Sequence, residues 1–261
     1  MAKVKMLSAG NINMRCAEFG QGEKAYVILP GLSIKPVTDL AGLLEPRYEK
    51  YADRYRFFLF DRPEEVPEDY SIQQMAEDTV AVIKSAGIEK MELFGVSQGG
   101  MMALCAAAAH PEMVDHLIVS STAPFITDRL KEVSERWIKM ADAKDSRGLT
   151  ESFVDLMFSD EYLLKNRETV LRNTPEYSDE ELEHFKRLIK AGKDFDIAAQ
   201  LGNITCPALV IGASRDEVVG ADASLDIARR IGARLYIYYD YGHAVYDEAP
   251  DFIERIMGFL S

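Results

Sequence analysis

Residues 95–99 read Gly95-Val96-Ser97-Gln98-Gly99. The stretch before them, Met91–Val96, is a short β-rich run. The stretch after them, Gln98–Ala109, is rich in alanine and stops before Pro111. The pentapeptide is therefore a turn from a strand into a helix. A serine on so tight a turn takes a strained backbone conformation, and glycines two residues before and two after it remove side chains that would clash. The turn projects the Ser97 hydroxyl beyond the strand, beside a helix N-terminus whose N–H groups favour negative charge. Taken alone, the same pattern also fits an ordinary glycine-rich strand–helix junction. The residues around it decide between the two readings.

Upstream, Ala25–Leu29 is a strand ended by Pro30-Gly31, and Arg56–Phe60 is a strand ended by Asp61-Arg62-Pro63. Ser71 opens a helix in which Gln74 completes a capping box. Ile72, Met75, Ala76, Thr79, Val80 and Ile83 then recur at helical spacing until Gly87. Downstream, His116–Ser120 is a further strand. This alternation predicts an α/β fold, a mostly parallel sheet with helices on both faces. Val4–Leu7 and Asn11–Phe19 are expected to add an antiparallel pair. From about residue 126 to 200 the strand pattern lapses, and helical segments are expected near 128–143, 150–158, 162–173 and 178–191. The last of these carries its own capping box, Ser178 to Glu181. Strands resume at Ala208–Ile211 and Arg234–Tyr239, and a final helix covers about 250–260. The expected organisation is a core domain of residues 1–124 and 201–261, interrupted by a helical cap of residues 125–200. A segment that long is an element in itself. It leaves the sheet at the edge where Ser97 lies, so its apolar faces are expected to pack over the strand ends there.

A nucleophilic serine needs a base and an acid to orient that base. Tyr241-Gly242-His243-Ala244 follows the last strand, and Ala213-Ser214-Arg215-Asp216 follows the one before it. The chain order Ser97, Asp216, His243 is the order expected for this elbow. A surface Asp216 and a structural His243 would each be unremarkable in isolation. Their joint placement at the ends of strands favours a catalytic triad. Glu217 and Asp222 lie farther from the strand end and are weaker candidates for the acid. His110, His116 and His184 read as capping, structural or solvated residues; Lys35, just past the Pro30-Gly31 loop, reads as a solvated lysine rather than a contact for a substrate carboxylate.

At this point the chain resembles the α/β-hydrolase family. The resemblance runs over nearly the whole length and is carried by L-P-G-L-S at 29–33, F-D-R-P at 60–63, G-V-S-Q-G-G at 95–100, G-A-S-R-D at 212–216 and Y-G-H-A at 241–244. It implies an eight-stranded, mostly parallel sheet with a cap inserted after the sixth strand. It also implies that the Leu32 N–H joins that of Gln98 in an oxyanion hole. Two family patterns are altered here. The usual His-Gly is Pro30-Gly31, and the usual Asp-x-Arg-Gly turn is Asp61-Arg62-Pro63. The expected activity is that of a serine hydrolase cleaving a carboxylic ester, with no metal or organic cofactor. The same triad could instead serve a C–C hydrolase, a lactonase or an acyltransferase, and a binding protein could keep the fold without catalysis. A serine at position 97 argues against dehalogenase or epoxide hydrolase chemistry, which in related folds uses aspartate there. Trp137, Phe153 and Phe158, in the insertion, are the candidates to line an acyl pocket.

Composition narrows the partners. Forty-three acidic residues against 30 basic ones give a net charge of −13, which repels nucleic acid and anionic membranes. The expected partner is a small-molecule substrate. Three cysteines, Cys16, Cys105 and Cys206, form no disulfide framework, and the scattered histidines suggest no structural zinc site. The N-terminus is a poor signal peptide, and no apolar run approaches the ~20 residues that cross a bilayer. A cytoplasmic location is expected.

Overall fold

The computed structural model describes residues 2–172 and 176–261. Residues 173–175, which include the end of the helix expected at 162–173, lie outside them. The core elements begin with β1 (Lys3–Ala9), β2 (Ile12–Gly20), β3 (Lys24–Leu29), α1 (Ala41–Tyr48), β4 (Tyr55–Pro63) and α2 (Ile72–Ser85). They continue with β5 (Met91–Val96), α3 (Gln98–Ala109) and β6 (Val114–Ser120). Four helices follow: α4 (Asp128–Asp142), α5 (Ser146–Met157), α6 (Asp160–Leu171) and α7 (Asp179–Lys190). The chain ends with β7 (Ala208–Ala213), α8 (Ala221–Ile231), β8 (Arg234–Tyr238), α9 (Val245–Glu248) and α10 (Phe252–Phe259).

The eight strands form one open sheet in the order β1-β2-β4-β3-β5-β6-β7-β8. β1 and β2 are antiparallel to their neighbours, and β3 to β8 are mutually parallel. Successive side chains of a strand point to opposite faces, so a strand covered on both sides reads as a continuous apolar run. In β3, Val27 and Leu29 join one core while Tyr26 and Ile28 join the other. Phe58 and Phe60 oppose Phe57 and Leu59 in β4 in the same way. One core packs beneath α2, α3 and α8, and it also takes in Leu130, Trp137, Phe185 and Leu188 from the α4–α7 segment. The other packs beneath α1, α9 and α10.

The order of the strands sets where a ligand can enter. From β3 the chain steps to one side for β4 and returns to the other for β5. That reversal opens a crevice at the carboxyl ends of β3 and β5, the usual ligand position in such sheets. Leu29 and Gly95 are paired at that edge, so the loop after β3 and the turn holding Ser97 start side by side.

Side-chain caps start five helices, α2 and α4 to α7. The Ser71 hydroxyl accepts the Gln74 N–H, but the Gln74 side chain turns to Asp78, so this capping box is half formed. The Ser178–Glu181 box is complete. α5 begins at Ser146, ahead of the expected 150, because Asp145 caps it through the Gly148 N–H. No helix among the described residues is long and apolar enough to cross a membrane.

Candidate active site

Ser97 joins β5 to α3 with φ 53° and ψ −121°. A serine holds such a conformation only when its surroundings fix it. Its N–H donates to the Ser120 carbonyl at 2.9 Å. Its own carbonyl accepts from the Met101 N–H at 3.1 Å and from the Thr122 hydroxyl at 2.7 Å. Gly99 has a steric role: a methyl group there would run into the carbonyls of Leu29 and Pro30, where the loop after β3 crosses the elbow. That loop brings Gly31 and Leu32 against Ser97. The Leu32 N–H has no hydrogen-bond partner among the described residues. Gln98 is the first residue of α3, so its N–H has no acceptor within its own helix.

His243 lies between β8 and α9 and is 1% exposed. Its Nδ1 is 2.9 Å and 3.0 Å from the two carboxylate oxygens of Asp216, itself 4% exposed. Oδ1 of Asp216 also accepts the N–H groups of Val218 and Val219, both at 2.9 Å. Burial pushes the Asp216 carboxyl up, but His243 and these two N–H groups more than offset it and hold the group below its usual range. A carboxylate facing Nδ1 selects the tautomer protonated there and leaves Nε2 as the basic nitrogen. Of the three acids weighed from the sequence, Asp216 is the one that meets His243. Glu217 is exposed, and Asp222 sits in the first turn of α8.

The segment leaving β6 joins the two halves of this arrangement. Ser120 receives the Ser97 N–H, the Ser121 hydroxyl donates to the His243 carbonyl at 2.7 Å, and Thr122 bonds the Ser97 carbonyl. These three residues are almost wholly buried. Sequence reading missed them; the one available signal was a run of three hydroxyl residues at a strand end.

A cavity of about 340 Å³ opens beside Ser97, Leu32 and Gln98. Its apolar wall includes Met101 from α3, Leu130 and Trp137 from α4, and Ile189 from α7. A larger depression, about 690 Å³, is lined by charged residues such as Glu64, Asp179 and Glu183 and holds neither Ser97 nor His243. Among the three aromatic candidates, Trp137 lines the cavity at Ser97. Phe153 stands behind Trp137, stacked at 4.0 Å, and Phe158 stacks on Tyr162 at 4.5 Å. Phe158 instead borders the His243 loop through its main chain, which packs on Gly242.

The remaining candidates lie elsewhere. His110 pairs with Glu77 at 2.9 Å, His116 with Glu92 at 2.8 Å, and Lys35 with Glu181 at 3.5 Å. Among the described residues, no group of three His, Cys, Asp or Glu side chains is placed to hold a metal ion.

Residues 53–250 match the family model described as alpha/beta hydrolase fold. The chain is similar to the 3-oxoadipate enol-lactonase 1 of Acinetobacter baylyi, with 23% identity over 227 residues, 84% of each chain. It is likewise similar to the serine hydrolase BPHL of Mus musculus, with 23% identity over 260 residues, 96% of this chain and 84% of that one. Among solved structures, it superposes on an alpha/beta hydrolase enzyme from a Medee basin deep-sea metagenome library. That match has a TM-score of 0.87 at 19% identity and covers 98% of this chain and 97% of the other.

Proposed function

This chain belongs to the α/β-hydrolase family, and from that premise we propose that it is a serine hydrolase that forms an acyl-enzyme on Ser97. The observation that carries the reading is the buried Asp216–His243 contact at the sheet edge where Ser97 is held in its strained turn. In the proposed reaction the Ser97 hydroxyl oxygen attacks the acyl carbon as Nε2 of His243 takes its proton. The N–H groups of Leu32 and Gln98 receive the oxyanion, each worth roughly 3–4 kcal/mol in the transition state. The C–O bond then breaks, and the departing alcohol takes the proton back from His243. Water, deprotonated by His243, releases the acid and restores Ser97.

The preferred substrate is a carboxylic ester with a small to medium apolar acyl group. A cavity of about 340 Å³ with an apolar wall supports that choice. A lactone is an internal ester, so the enol-lactonase relative favours lactones as the second substrate class to test. We also propose that residues 125–200 form a cap that sets substrate choice, since Leu130, Trp137 and Ile189 share the cavity with Ser97. The reading keeps a cytoplasmic location and a small-molecule substrate.

The test is labelling with a fluorophosphonate probe, followed by a panel of esters, thioesters and lactones of increasing chain length. Ser97 should carry the label in the wild-type protein. Ser97→Ala should lose the label and roughly 10⁴–10⁶ of kcat while keeping its fold. A folded Ser97→Ala protein with undiminished hydrolysis would overturn the nucleophile assignment.

A further inference from the structure

The two places where the chain departs from its family's pattern, Pro30-Gly31 and Asp61-Arg62-Pro63, meet in the structure. Arg62, at the end of β4, is 7% exposed. Its Nη2 donates to the Pro30 carbonyl at 2.6 Å and its Nε donates to Gln98 Oε1 at 3.1 Å. The Gln98 amide in turn donates to the Leu188 carbonyl of α7 at 2.7 Å. Asp61, next in sequence, does not pair with Arg62; it accepts the N–H groups of Val37 and Thr38 and the Thr38 hydroxyl. Nη1 of Arg62 is buried with no partner. Burial pulls the guanidinium down to about 10, so it stays charged at neutral pH.

A buried cation without a hydrogen-bonded carboxylate is costly, and an apolar side chain would serve stability better. The contacts of Arg62 suggest what keeps it there. Among the described residues, the Pro30 carbonyl is the one backbone group of residues 30–35 that is hydrogen-bonded within this loop. The Pro30 carbonyl and the Gly31 N–H belong to one planar peptide, so fixing the oxygen fixes the plane from which the chain runs on to Leu32.

We propose that Arg62 is the positioning residue of the oxyanion hole, one rigid guanidinium clamping the loop that presents the Leu32 N–H to the residue that presents the Gln98 N–H. The proposal rests on the acyl-enzyme reading of Ser97. Two donors in a fixed planar fork suit this task, whereas a lysine ammonium has no such fork. The role is exerted through the two backbone donors, which gain strength only as negative charge develops on the substrate oxygen.

The test uses the full chain with Arg62→Gln, Arg62→Lys and Gln98→Met. The readouts are kcat and KM on p-nitrophenyl butyrate, inhibition by a trifluoromethyl ketone, fluorophosphonate labelling and thermal melting. The ketone adduct places an oxyanion where the transition state does. Arg62→Gln should lose roughly 30- to 100-fold in kcat with KM changed less than about twofold, and ketone affinity should fall by a matching factor. Arg62→Lys should recover part of both. A folded Arg62→Gln protein with near wild-type kcat, or one that loses kcat while binding the ketone as before, would overturn the proposal. Should the Arg62 variants not fold, Gln98→Met decides. It removes the Nε acceptor yet leaves the backbone donor in place, and should lose about tenfold in both kcat and ketone affinity. Unchanged values there also overturn the proposal. Labelled wild-type Ser97 with unaffected Arg62 variants leaves the serine reading standing and removes the clamp. If wild-type Ser97 is never labelled, both fall.

Discussion

Gly242→Ala should weaken both the fold and the reaction, and the structure says by how much. A methyl group on residue 242 would stand 2.7 Å from the Phe158 carbonyl carbon and the Ser159 nitrogen, and 2.8 Å from the Met157 oxygen. All three are main-chain atoms, so no side chain can swing away. Carbon atoms prefer about 3.5–4.0 Å, so the turn between α5 and α6 would have to retreat by about 1 Å. The same seam carries the bond from the Ala244 N–H to the Met157 carbonyl at 2.6 Å. Glu248 Oε1 also accepts there, from the Ser159 N–H at 3.0 Å and the Gly242 N–H at 3.1 Å. Overpacking costs roughly 1–3 kcal/mol, and loss of the one bond that spans the retreating turn directly, Ala244 to Met157, about 1 kcal/mol. The sum, about 2–4 kcal/mol, corresponds to a fall in Tm of roughly 5–15 °C for a domain of this size. His243, the proposed base, is the next residue, and a displacement of about 1 Å at such a group costs up to 10² in rate. The assays are calorimetric melting and kcat on p-nitrophenyl acetate, a substrate too small to need the rest of the cavity. A variant with wild-type Tm and kcat would show that this turn is not seated on the His243 loop.

Other perturbations separate the remaining claims. Asp216→Asn keeps a carbonyl for the Val218 and Val219 N–H groups but no longer selects the His243 tautomer. It should retain the fold and lose about 10³–10⁴ in kcat on the same ester; a loss under tenfold would remove Asp216 from the triad. His184 is pulled below its ordinary value by burial, with Arg187 and Arg62 adding to the effect. Its unfolded form therefore takes up a proton at higher pH than the folded form. Its contribution to stability is complete above about pH 6.5 and is lost as pH falls through the lowered folded value. His184→Gln should flatten the dependence of Tm on pH in that acid window, and an unchanged slope would count against the assignment. Trp137→Leu should open the cavity at Ser97 and raise kcat/KM for hexanoyl over acetyl esters severalfold, whereas Phe158→Leu should leave that ratio alone.

Much of this arrangement is legible in the sequence because it depends on local periodicity. Apolar runs mark β3 to β7, glycine spacing marks the elbow, and Asp216 and His243 stand at strand ends where order along the chain suffices. What escaped depends on contacts far apart in sequence. Arg62 and Gln98 are 36 residues apart, and Ser121 and His243 are 122 apart, so nothing near either residue announces the pairing. Helix α8 escaped for the opposite reason. It starts after Gly220 with no side-chain cap, and its one local boundary signal is the left-handed Gly232 at its C-terminal end. α1 is obscured by Pro46 inside it. Phe158 drew notice as an aromatic residue of the insertion, but sequence spacing does not fix which way a ring on a helix end points.

The hydroxyl-bearing exit of β6 also bears on how the molecule comes apart. Ser97, Ser121 and Thr122 are held by bonds that cross from β5 to β6, from β6 to β7 and on to the His243 loop. Amide protons in such a web should exchange with solvent only when the whole sheet opens. α6 buries none of its residues, and Leu164 on it is 88% exposed, so its amides should exchange through small local openings at far lower free energy. The outer helix is therefore expected to fray and reform many times while Ser97 and the His243 loop stay in place, because the bonds that hold them should open only with the sheet.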